Sequence, residues 1–215
     1  MNNASITNTA AAKQEKATEN VPVPYFHCNN LPAQKICYQK LVQQIKQKPS
    51  IPNILLVGPG CAWLATQLCR YTDKVVIAVN LSASEIKDAK KEYEMFMNLQ
   101  LSTQSIDGKL LSDKQFELVV FCSSIEYFFS IGNILKKALK HLSLAGEIHI
   151  CGSTFNESKN NISKRSKSIK QYFPHTINEL RAFQYKILHE PAAFINKFSL
   201  TKNPFHHIVI KNYYL

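Results

Sequence analysis

Ile54-Leu55-Leu56-Val57-Gly58-Pro59-Gly60-Cys61-Ala62-Trp63-Leu64 decides how this chain is read. The four leading apolar residues suit a strand covered on both faces, and Trp63, Leu64 and Leu68 suit a helix that begins just after Gly60. A buried strand that turns sharply through small residues into a helix lets an α/β protein bring its backbone against a nucleoside.

Working outward, strand-like and helix-like stretches alternate. Strand Asn53–Val57 leads to a helix from about Ala62 to Tyr71, and strand Lys74–Val79 to a helix from Ala83 to about Met97. Ser82 and Glu85 form an S-x-x-E capping box at the start of that second helix, with Ile86, Ala89 and Tyr93 along one face. A short strand is expected around Leu101–Ile106, and Phe116–Phe121 is apolar throughout except for Glu117. The helix Asn133–Leu142 turns Ile134, Leu135, Ala138, Leu139 and Leu142 inward and Lys136, Lys137 and Lys140 outward. Ala145-Gly146 is expected to separate it from strand Glu147–Cys151. Such alternation predicts an α/β fold with a doubly wound, mostly parallel sheet.

Beyond Cys151 the pattern predicts a basic loop over Asn156–Lys170, a helix over Thr176–Leu188 and a strand over His206–Ile210. Little sequence is left for a seventh strand, so the last strands of the sheet are expected to be lacking. Upstream, Cys37, Leu41 and Ile45 recur four apart in a helix over about 33–47, set off by Lys48-Pro49-Ser50-Ile51-Pro52. The expected organisation is a disordered tail over 1–20 and one domain over 21–215, with a core over about 53–151 and a covering region over about 152–215.

At 215 residues the chain is long enough for one large core, and 45% apolar residues suit a globule. The sequence carries no signal-peptide pattern and no run of the roughly 18 apolar residues that a membrane span needs. Its six cysteines have no C-x-x-C or ligand-like spacing, which predicts reduced thiols and no metal site. A soluble, cytoplasmic monomer is expected. The formal charge is +11, much of it in Lys159, Lys164, Arg165, Lys167 and Lys170. That excess suits attraction to an anionic partner, or else a solvated basic loop.

Three nucleotide ligands compete for the turn after Val57. A phosphate-binding loop needs G-x-x-x-x-G-K-[ST], which is absent. A dinucleotide site needs a third glycine where Trp63 stands. S-adenosylmethionine (SAM) carries no phosphate and fits the turn best.

The whole stretch Ile54–Leu64 resembles motif I of the class I SAM-dependent methyltransferases, most closely the malonyl-carrier-protein O-methyltransferases of biotin synthesis. Ile125-Glu126-Tyr127 resembles that branch's apolar-Gln/Glu-aromatic step. Thr176-Ile177-Asn178-Glu179-Leu180 with Asn196-Lys197-Phe198 resembles its T-x-x-E-L and N-[RK]-F segments, and His206-His207-Ile208 continues the likeness. The resemblance covers about Tyr25 to the end. It implies SAM as cofactor, held by Gly58, Gly60, Asn80, Leu81, Asp107 and Tyr25, with His27 beside Tyr25 as a cover. It also implies methylation of the free carboxylate of a malonyl thioester on acyl carrier protein, a strongly acidic partner. Arg181, Lys186 and Lys197 are the candidate cations to orient that carboxylate; no catalytic side chain is assigned.

Departures from the family pattern suggest a second possibility, a non-catalytic scaffold. The acid expected in the first strand is Leu56, the third small residue is Ala62, the ribose-binding acid is Asn80, and the adenine-side carboxylate falls at Ser105 or Asp107. A neutral Asn80 in place of a carboxylate costs about 1–2 kcal/mol, roughly five- to thirtyfold in affinity. No nucleic-acid partner is expected. The amino-methylating enzymes need an N/D-P-P-aromatic step where this chain has Cys122-Ser123-Ser124-Ile125, and its Asn203-Pro204-Phe205 lies elsewhere.

Overall fold

The structure is a computed structural model that describes residues 32–48, 53–58, 60–70, 72, 74–156, 173–189 and 205–212. Its helices are α1 (Pro32–Lys46), α2 (Cys61–Cys69), α3 (Ala83–Tyr93) and α4 (Ile131–Lys140). Its strands are β1 (Ile54–Val57), β2 (Val76–Val79), β3 (Leu99–Leu101), β4 (Phe116–Cys122), β5 (Leu142–Ser153), β6 (Phe155–Asn156), β7 (His175–Thr176), β8 (Tyr185–His189) and β9 (His206–Lys211).

Seven strands form one sheet in the order β3-β2-β1-β4-β5-β9-β8. The five strands from β3 to β5 run parallel, and β9 enters antiparallel to both β5 and β8. Every residue of β1 and β2 is buried, as apolar strands without alternation must be when helices cover both faces. Alternate β1 residues therefore serve two cores. Leu56 packs with Tyr38, Leu41, Leu64, Leu68 and Val120, while Leu55 and Val57 pack with Ile77, Phe121, Leu135 and Ile208.

The sheet is complete, against the expectation that its last strands are lacking. The missing strand is β8, within the stretch 176–188 expected to be helical. Thr176 and Glu179 do make a capping box, but the turn they start is a 3-10 turn that ends at Leu180. Tyr185–His189 then alternates half-buried with exposed residues and pairs with β9. Ala145-Gly146 is not a terminator either. Strand β5 starts at Leu142 and passes through both residues, its register shifting between Phe116 and Leu118 of β4. Strand β3 ends at Leu101, before most of the stretch expected for it. Tyr25, His27, Lys197, the tail and residues 157–170 of the basic loop lie outside the described residues.

Candidate nucleoside crevice

Chain direction across the sheet reverses at β1 and β4: β2 lies to one side of the pair and β5 to the other. The carboxyl ends of two such strands diverge into a crevice, where open α/β sheets bind ligands. Gly58 closes β1 on this rim, and Ser123 and Ser124 close β4.

Gly58 has φ 108° and Gly60 φ 85°, left-handed values that a residue with a Cβ adopts only under strain. Gly58 also lacks room for a side chain, because a Cβ there would lie 2.3 Å from Ser124 Cβ. The Ser124 hydroxyl donates to Val57 O at 2.6 Å and accepts the Cys122 N–H at 3.1 Å, which ties the ends of β1 and β4 together. Ser123 Oγ donates to Gly152 O at 3.0 Å and lies 3.0 Å from the Tyr38 hydroxyl, so α1 joins the same rim. Motif reading did not single out these serines or Tyr38. Apart from Cys122 beside Ser124, their partners lie 29 to 85 residues away in sequence, so only the register reveals them.

Asn80 ends β2 at φ 60°, a conformation asparagine tolerates better than most residues. Its backbone N–H donates to Gln104 O at 2.8 Å. Its side-chain Oδ1 is buried with no hydrogen-bond donor among the described residues. A buried acceptor without a donor is costly unless something donates to it. A sugar hydroxyl does so, and Asn80 stands where the resemblance puts the ribose ligand. On this observation the rim fits a nucleoside.

The other expected positions divide. Leu81 is 4% exposed and belongs to the core, so what it offers the rim is backbone. Asp107, 45% exposed, pairs through Oδ2 with Lys137 of α4 at 2.7 Å. Ser105 is half-buried nearby in the chain. Arg181 and Lys186 are exposed.

Behind the turn lies Glu85, read from the sequence as half of a capping box. Its first half is present, with Ser82 Oγ accepting the Glu85 N–H at 3.1 Å, and the Ser82 N–H lies near enough to the Glu85 carboxylate to favour its charged form. That carboxylate does more, accepting the Ala62 N–H at 3.1 Å and the Gly60 N–H. Burial leaves its pKa raised on balance, against the smaller opposing pull of three backbone N–H groups.

A second polar cluster lies on β5 and β9. Lys48 Nζ and His149 Nε2 approach Glu147 Oε2 at 2.8 and 3.3 Å, and His149 Nδ1 meets His207 Nε2 at 3.0 Å. The His149 hydrogen bond, with help from Lys48, holds Glu147 far below the usual carboxylate range. Burial lowers both histidines, His207 to about 4. Neutral rings make the directions consistent, with His207 donating to His149 and His149 to Glu147. Glu147 and His149 line a cavity of about 690 Å³ with Gln44, Lys186 and Val209.

Among the described residues no three His, Cys, Asp or Glu side chains converge as a metal-binding set, and no helix is long and apolar enough to cross a membrane. The five described cysteines are all buried.

No family model and no curated protein matches the chain. Solved structures do match. The YcgJ protein of Bacillus subtilis superposes with a TM-score of 0.64 at 10% identity, over 83% of this chain and 98% of that one. The N-methyltransferase NodS of Bradyrhizobium japonicum, in complex with S-adenosyl-L-homocysteine (SAH), gives 0.62 at 10% identity, over 94% and 98%. A SAM-dependent methyltransferase of Thermotoga maritima, titled a possible histamine N-methyltransferase, gives 0.60 at 16% identity, over 84% and 91%. At such identities the likeness is one of architecture: this chain has the Rossmann-like fold of the class I SAM-dependent methyltransferases.

Proposed function

We propose that this protein is a SAM-dependent O-methyltransferase that acts on the free carboxylate of a malonyl thioester carried by acyl carrier protein, in biotin synthesis. The observation that carries the nucleoside part is the buried Asn80 Oδ1, which has no donor among the described residues, beside two glycines in left-handed conformation. The fold shared with methyltransferases adds to it. When bound, the cofactor supplies a methyl group on a positively charged sulfur. Gly58 and Gly60 would bring backbone to the ligand, and Asn80 Oδ1 would accept a hydrogen bond from a ribose hydroxyl. A carboxylate acceptor is ionised at neutral pH, so the rim needs no general base, and its work is positioning and exclusion of water. The acyl acceptor rests on the sequence resemblance and on the +11 charge, which suits an acidic carrier.

Titration calorimetry with SAH is the direct test of the nucleoside pocket. Saturable binding is expected, weakened by roughly five- to thirtyfold relative to a site with a ribose carboxylate; no heat up to millimolar ligand would sink the proposal. Restored growth without biotin, in a strain lacking the carrier-protein methyltransferase, then tests the acceptor. A second reading, a scaffold without activity, draws on Leu56 and on the engagement of Asp107 by Lys137. SAH binding without rescue favours it.

A further inference from the structure

Helix α2 starts without a cap of its own: Gly60 at its N-cap has no side chain to accept the first N–H groups. An unpartnered helix N-terminus facing a ligand attracts anions, which is how phosphate-binding folds use it. Here the N–H groups of Gly60 and Ala62 go to Glu85, a side chain from the next helix that is 2% exposed. Among the described residues its carboxylate meets backbone N–H groups, and no cation pairs with it. Leu56 lies in the same buried cluster as Ala62, on the face of the sheet that α2 covers. An acid on the strand at Leu56 and an acid on α3 at Glu85 are thus two ways to put a carboxylate behind one turn.

We propose that Glu85 is the positioning residue of the nucleoside pocket. From inside the α2–α3 packing it fixes the Gly60–Ala62 backbone and supplies the negative charge absent at Leu56. The pocket therefore selects a nucleoside that carries a cationic centre and no phosphate. A phosphorylated nucleoside meets the opposite conditions, since the N–H groups it would use are engaged and a like charge stands behind them. This inference rests on the nucleoside pocket proposed above and adds what that pocket discriminates.

Trp63 is the chain's single tryptophan and follows Ala62 directly, so its fluorescence reports on the turn. The full-length protein and its Glu85→Gln variant are titrated with SAM, SAH and ADP. SAM and SAH differ by the methyl group and the charge on sulfur. In the wild type, ADP is expected not to displace SAH at a hundredfold excess. Glu85→Gln keeps a side-chain oxygen to accept an N–H but removes the charge. It is expected to weaken SAM by about three- to tenfold, to leave SAH within about twofold, and to strengthen ADP. A purely structural role would move SAM and SAH together, and that result overturns the inference while leaving the pocket in place. Wild-type protein that binds ADP as tightly as SAH also overturns it, without recourse to any variant. Wild-type protein that takes neither SAM nor SAH removes the pocket and the inference together. If Glu85→Gln does not fold, Glu85→Asp keeps the charge with a shorter reach. It should weaken both ligands at an unchanged SAM-to-SAH ratio, and a changed ratio counts against the charge assignment.

Discussion

Gly58 answers to two demands at once, a φ of 108° and a neighbour too close for any Cβ. Gly58→Ala adds left-handed strain to a clash with Ser124, whose hydroxyl is fixed by its bonds to β1 and β4. The expected loss is about 2–4 kcal/mol, read as a lower urea midpoint. Adding Ser124→Gly relieves the clash but also forfeits the hydroxyl's bonds to Val57 O and the Cys122 N–H, so it should not restore the lost stability. Asn80 is the opposite kind of position, where something is wanted rather than excluded. Its buried Oδ1 accepts from nothing described in the chain. Asn80→Asp turns a neutral acceptor into a charged one, so SAH affinity should rise about five- to thirtyfold by calorimetry. An affinity that stays flat or falls, in a folded variant, would place the ribose elsewhere on the rim.

Among elements, β5 and β9 share an acid-sensitive cluster. His207 donates to His149, which in turn donates to Glu147, with Lys48 and Lys211 also on that carboxylate and with His189 and Lys40 near His207. An unfolded histidine takes its proton near 6.5, whereas buried His207 resists until about 4. Between these values the unfolded chain binds more protons, so stability is full above 6.5 and falls as pH drops toward 4. The cost at the lower end is on the order of 3 kcal/mol for His207. His207→Gln keeps a donor for His149 and should flatten the difference in melting temperature between pH 7 and pH 4.5. A slope as steep as that of the wild type would assign the acid sensitivity to other groups. Elements also differ in how legible they are. Strand β1, the Ser82 cap and the apolar face of α4 (Ile134, Leu135, Ala138) can be read from the sequence because each depends on neighbours a few residues away. Strand β8 is misread because Thr176 and Glu179 are a true helix-start signal. The turn they start ends within four residues, and the alternation in Tyr185-Lys186-Ile187-Leu188-His189 was the signal that could have found the strand.

At the scale of the molecule, what sequence patterns leave out is register. The rim contacts Ser124 to Val57 and Tyr38 to Ser123 exist only because β4 lies beside β1 and α1 packs on the sheet at β5. The seventh strand follows the same logic, since the chain's last described strand is inserted between two earlier ones. Strand β9 is therefore internal, paired along both edges, with Ile208, Val209 and Ile210 at most 5% exposed. Burial of three such side chains contributes roughly 5–9 kcal/mol, against a total stability of about 5–15 kcal/mol for a domain. Its removal would also strip hydrogen-bond partners from β5 and β8 together. A chain that stops at Pro204 should then lose its cooperative thermal transition and its near-ultraviolet circular dichroism, while far-ultraviolet signal from α1 to α4 persists in part. A truncated chain that still melts in one sharp step would mean that the five parallel strands form a self-sufficient unit and that β8 and β9 are only an annex to it.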